Sequence, residues 1–417
     1  MPRLLRALQL VSLALVALLM LAACGSRVTA PEKALKPLAV KSPQSPQAQL
    51  EKPSEAAITA EALRVTLNNT LREHVFLTTA ATGAAIAGNA DGLKGATKAL
   101  KEGTAVGFAD LLGKIYDDQT RDSFLTTWSS HIDMVMAYAN GLAKDDKAAQ
   151  DKAIADLGQY TKNLAAALEK TTGLTASASE PLIAEHITTL RSVVDKQKAG
   201  DTNGAYTDLR SAMSYVGTIA TPLAVQIAKQ KGLQGAADSK AADLQAKLNG
   251  LLQEHVFLTG AATSAALSGN TAGFEAASKA EREGNAVDLA NAIAEVYDKS
   301  AGDALLKLWN SQLDLFVSYA NGLATNDKAV QGKTIVDLTG YAGSLASEFE
   351  RVTGGGLPSS ASTSLIQQNV MGLKTAVDLQ KTSGPSTAYT ELRETAQHMR
   401  MIADSLAQAI VKQKSIS

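Results

Sequence analysis

From about Ala57 onward, apolar residues recur every three or four positions and never alternate for long, so the pattern predicts helices and no sheet. In the first half, helices are expected over about 57–87, 91–117, 120–143, 146–171, 180–199 and 203–230. The stops have the matching chemistry. Gly88-Asn89 supplies the left-handed residue that ends the first helix, and Asp145-Asp146 can cap the fourth. Ser177-x-x-Glu180 ahead of Pro181 has the form of a capping box opening the fifth. The expected class is all-α.

The same pattern then repeats. LREHVFLT around Glu73–Thr78 returns as LQEHVFLT around Glu254–Thr259, and YANGLA occurs at Tyr138–Ala143 and again at Tyr319–Ala324. AYTDLR (Ala205–Arg210) pairs with AYTELR (Ala388–Arg393), and both copies end in Lys-Gln-Lys. Two copies are too few for a solenoid built from short stacked repeats. The reading is therefore two tandem homologous bundles of about six helices each, over 57–231 and 241–417.

Polar residues break the apolar stripes at matched places. In the first helix His74 falls among Leu63, Leu67, Leu71 and Ala81, and His255 stands equivalently in the second copy. In the third helix His131 shares a stripe with Phe124, Trp128 and Val135, and Gln312 is its counterpart. His186 corresponds to Asn369, and Tyr215 to His398. All five histidines thus occupy four equivalent positions, and all eight residues can bond through nitrogen or oxygen. Unmet, each such group costs about 1–3 kcal/mol when buried, so these positions are expected to meet inside a bundle. One reading is a hydrogen-bonded polar layer that fixes helix register. The other is a metal site for a copper, zinc or iron ion, or a haem, on His74, His131 and His186, since bundles commonly build such sites between facing helices. Against the metal, the second copy replaces two histidines with amides, and the Glu-x-x-His spacing of di-iron bundles is missing. An organic ligand among the four positions is a third reading.

The first residues give the address. Met1–Ala23 has Arg3 and Arg6 ahead of an apolar run from Leu8 to Leu21, the layout of a secretory signal. The run is shorter than the roughly 20 apolar residues that span a bilayer. Leu21-Ala22-Ala23-Cys24 resembles a bacterial lipobox, in which the cysteine is lipidated and becomes the mature N-terminus. Cys24 is the single cysteine, so no intramolecular disulfide forms. The stretch to residue 56 carries Pro31, Pro37, Pro43, Pro46 and Pro53 and reads as an extended tether between membrane and bundles. The expected location is the extracytoplasmic face of a bacterial membrane, with the membrane as partner through the lipid on Cys24.

Composition narrows the function. Aromatics are 4% of residues and alanine is abundant, which suits close helix packing. The near-balance of 40 basic against 41 acidic residues gives no drive toward nucleic acid. No phosphate-binding glycine loop, His-Glu-x-x-His, Cys-x-x-Cys or nucleophile elbow occurs. A catalytic role is therefore the weaker class.

These motifs resemble an uncharacterised family of exported bacterial lipoproteins with a repeated all-helical module. The likeness rests on Glu73-His74, Trp128 to His131, and Ala388-Tyr389 with Arg393 and His398-Met399, and covers about 60–230 and 243–414. Some relatives carry a copper amine oxidase label. That class is β-rich with a quinone made from tyrosine, which the helical pattern does not match, so the resemblance implies copper at most. The expectation is a membrane-anchored envelope lipoprotein that acts as a binding or structural module. The alternative is a metal-binding lipoprotein using the inward histidines of the first bundle.

Overall fold

Matched residues cap matched helices. The side chains of Asn89 and Asn270 each accept from the amide three residues on, and so do those of Asp117 and Asp298, and of Asp146 and Asp327. The computed structural model describes residues 58–417, and among these every regular element is helical. The signal, Cys24 and the tether lie outside the described residues.

The first repeat comprises α1 (Ala60–Ile86), α2 (Ala90–Lys98), α3 (Val106–Ile115), α4 (Asp118–Ala143), α5 (Lys147–Thr172), α6 (Ala176–Ala199), α7 (Thr202–Tyr215) and α8 (Gly217–Lys231). The second comprises α9 (Lys240–Ser268), α10 (Thr271–Lys279), α11 (Ala286–Val296), α12 (Lys299–Ala324), α13 (Lys328–Val352), α14 (Ser359–Thr382) and α15 (Pro385–Lys414).

Three departures from the expected helices have local causes. The single helix expected over 91–117 contains a π-helical segment, Ala99–Ala105, and the second repeat has one at Ala280–Asn285. Such segments widen a helix by one residue per turn and often mark functional positions. The helix expected over 203–230 breaks at Val216, ahead of Gly217 and Pro222. The second repeat has Arg400 and Ser405 at those places and runs unbroken. The capping box at Ser177 and Glu180 does not form: α6 starts at Ala176 and carries Pro181 inside it.

The boundary between 231 and 241 separates the repeats in sequence, while residues 57–417 form one compact unit. A single hydrophobic core runs through both repeats. Helices α1 and α9, which carry the EHVFLT copies, pack on each other at its centre. There Phe76 and Phe257 stack with ring centroids 4.5 Å apart and planes within 12°.

The two arginines at the ends of the AYTxLR motifs cross between repeats. Arg210 donates to Glu254 at 2.5 Å, and Arg393 donates to Glu73 at 2.6 Å. Each therefore reaches the glutamate that precedes the histidine of the other copy, which relates the repeats by an approximate two-fold exchange. The π-helical segments make room for this. A Cβ on Gly103 would lie 2.2 Å from Arg393 Nη1, and one on Gly284 would lie 2.2 Å from Arg210 Nη1. A side chain at either place would displace the guanidinium that bonds the glutamate.

Candidate functional site

Six of the eight inward polar positions are buried: His74, His131, His186, His255, Gln312 and Asn369. Tyr215 and His398 are not among them. Tyr215 is half-buried and His398 exposed. On α15 the buried stripe is Leu392, Thr395, Ala396, Met399 and Ile402, which leaves residue 398 on the flank. The polar residue that does enter from a fourth helix is Tyr160 in the first repeat, with Tyr341 as its buried counterpart. Both lie on regular stripes, Leu157-Tyr160-Leu164 and Leu338-Tyr341-Leu345, so the matched spacing was available in the sequence.

In the first repeat His74 Nε2 lies 3.1 Å from His131 Nε2, and the His186 ring centroid lies 5.7 Å from that of His74. His131 Nδ1 contacts the carbonyl oxygen of Trp128. A carbonyl only accepts, so Nδ1 carries the proton and Nε2 of His131 is the acceptor. His74 therefore donates its Nε2–H to His131. Tyr160 packs on the His131 ring, with centroids 5.0 Å apart. Burial holds the His131 imidazole down to about 3 and the His186 imidazole down to about 4. His74 is pushed well below its ordinary value, by burial first and by the two neighbouring imidazoles second. All three are neutral near pH 7.

The second repeat solves the same problem differently. His255 Nδ1 donates to Glu281 at 2.5 Å, and both side chains are buried. Glu281 comes from the π-helical segment and stands where the first repeat has Leu100. Gln312, at the position of His131, does not reach His255. Asn369 donates to the carbonyl of Thr395 at 3.4 Å.

The arrangement gives metal binding on His74, His131 and His186 no support: the Nε2 lone pair of His131 is engaged by His74. Among the described residues no group of three or more His, Cys, Asp or Glu side chains could hold an ion. The cavity beside His131, Tyr160 and His186 measures about 30 Å³, room for a water molecule and little more.

Two larger clefts lie between the repeats. The polar one, about 730 Å³, contains Arg64, Arg72, Arg210, Lys247 and Lys279. Each of these cations pairs with an acid of the same cleft, so its charges cancel internally.

The other cleft, about 530 Å³, is lined from both repeats by equivalent residues: Gln197 with Gln380, Tyr206 with Tyr389, and Leu209 with Leu392. The glutamines brace its walls. Gln197 donates to the Thr79 carbonyl and accepts from Thr82, as Gln380 does with Gly260 and Thr263. Phe76 of the central stack also faces it. No charged side chain lines the cleft. Sequence reasoning missed this site because its walls come from positions about 180 residues apart, each unremarkable within its own copy.

The class that fold and site define is an all-helical protein of two fused repeats with a ligand-sized cleft between them. Comparison with known proteins finds no matching family model, no matching curated protein and no matching solved structure.

Proposed function

We propose that this chain is an exported, lipid-anchored binding module of the bacterial cell envelope, and that it binds its ligand in the uncharged cleft between the repeats. The observation that carries the reading is that cleft: about 530 Å³, built from equivalent residues of both copies. Pockets for small ligands generally fall between about 300 and 1,000 Å³ and favour interfaces between structural units. Anchoring rests on Cys24 after a signal-like leader, and on the resemblance to exported lipoproteins. No carboxylate, histidine, lysine or cysteine stands in the cleft to activate its serine and tyrosine hydroxyls, which favours binding over catalysis.

Full-length protein extracted from envelope membranes in mild detergent is expected to carry a bound small molecule at a 1:1 ratio in native mass spectrometry. Ser264→Trp places an indole in the cleft from an exposed position of α9 and should remove that species while leaving helix content unchanged. A wild-type chain with no bound species, or a species that survives Ser264→Trp, would contradict the reading.

A further inference from the structure

We infer that the cleft takes an uncharged, largely apolar molecule that presents a hydrogen-bond acceptor to Tyr206 and Tyr389. This deepens the binding reading and rests on the cleft being the ligand site. The lining carries no charge, so an ionic ligand would leave water without a counter-charge, a large penalty.

The tyrosines supply the polar end. Two other matched tyrosine pairs outside the cleft are tied down within the protein, while the matched pair Tyr160 and Tyr341 is buried away from it. Tyr138 donates to Asp195 at 2.6 Å and Tyr319 to Asp378 at 2.7 Å. Tyr116 and Tyr297 donate to Gln230 and Gln413. The hydroxyls of Tyr206 and Tyr389 have no partner among the described residues, although burial pushes both away from ionisation. For Tyr389 the value rises to about 12. Tyr206 is raised by burial first and by Tyr389 second. Both therefore remain protonated donors at any physiological pH. By contrast the cleft's glutamine amides are already committed to the walls. The two tyrosine donors, beside the hydroxyl of Ser264 and the amide groups of Asn89 and Asn270 on the same lining, favour a neutral ligand bearing a carbonyl or ether oxygen.

The test uses two probes on the naphthalene frame, titrated by fluorescence against the full chain. Prodan is uncharged and carries a ketone; 1-anilinonaphthalene-8-sulfonate is an anion. Prodan is expected to bind at one site, about tenfold more tightly than the anion. Tyr206→Phe and Tyr389→Phe should each weaken prodan about fivefold, the loss of one hydrogen bond, with unchanged thermal melting. Ser264→Trp should abolish binding. Equal affinity for both probes, with both lost in Ser264→Trp, would overturn the ligand class and leave the cleft as the site. Tight prodan binding indifferent to both tyrosine variants would overturn the acceptor requirement. Binding of neither probe, or binding unaffected by Ser264→Trp, would overturn the site itself.

Discussion

Lowering the pH from 7 to 5 is expected to remove about 6 kcal/mol of folding stability, most of what a typical domain possesses. The cause is the trio His74, His131 and His186. In the unfolded chain each takes up a proton near pH 6.5. In the fold burial holds His131 down to about 3 and His186 down to about 4, with His74 also well below its ordinary value. Below pH 6.5 the unfolded state therefore binds more protons than the native state, and stability falls as pH falls. Each histidine contributes a slope of about 1.4 kcal/mol per pH unit. The contribution is fully present above pH 6.5 and is lost progressively down to about pH 4, where His186 begins to protonate in the fold. No carboxylate stands among the causes acting on the three rings that could hold them charged.

Urea midpoints at pH 7, 6 and 5, followed by tryptophan fluorescence, measure this slope. His131→Gln installs the residue that the second repeat uses at that position and should reduce the slope by about a third. Equal stability at pH 7 and pH 5 would contradict the neutral buried layer.

Glu254→Ala is expected to cost about 3–5 kcal/mol, and Glu73→Ala clearly less. Glu254 accepts from Arg72 at 2.5 Å and from Arg210 at 2.5 Å, and its side chain is 2% exposed. Arg72 is buried too, and burial lowers its pKa against the attraction of Glu254. Removing the carboxylate leaves that guanidinium uncompensated in the interior. Glu73 instead accepts from Thr104 and from Arg393, whose side chain is 20% exposed and can turn to water. Arg210→Ala should cost less than Glu254→Ala, because Arg72 keeps its carboxylate. Thermal melting reads the difference: Glu254→Ala should lower Tm by about 5 °C or more. A Glu73→Ala loss equal to that of Glu254→Ala would contradict this asymmetry.

Much of the fold is legible from residues one or two turns apart. The stripe around His74, the stop at Gly88 and the cap at Asp146 are local patterns, and they place α1 and α5 within a few residues. Burial of His131, His186, Gln312 and Asn369 follows from the same stripes. What periodicity does not specify is which side chain answers which. His255 has the surroundings of His74 in sequence, yet its partner is Glu281, carried by a π-helical segment that helical spacing does not anticipate. The matched arginines Arg210 and Arg393 read as surface residues within one copy; their partners lie in the other copy. The cleft is hidden for the same reason, since Tyr206 and Tyr389 acquire a common purpose only once the repeats pack together.

The central claim is that a ligand binds between the repeats and touches both. Hydrogen exchange of the full chain, with and without saturating prodan, tests it most directly. The account predicts slowed exchange in matched segments of α1 and α9, around residues 79–89 and 260–270, together with the starts of α7 and α15. Slowing confined to one repeat, or located away from these segments, would contradict it.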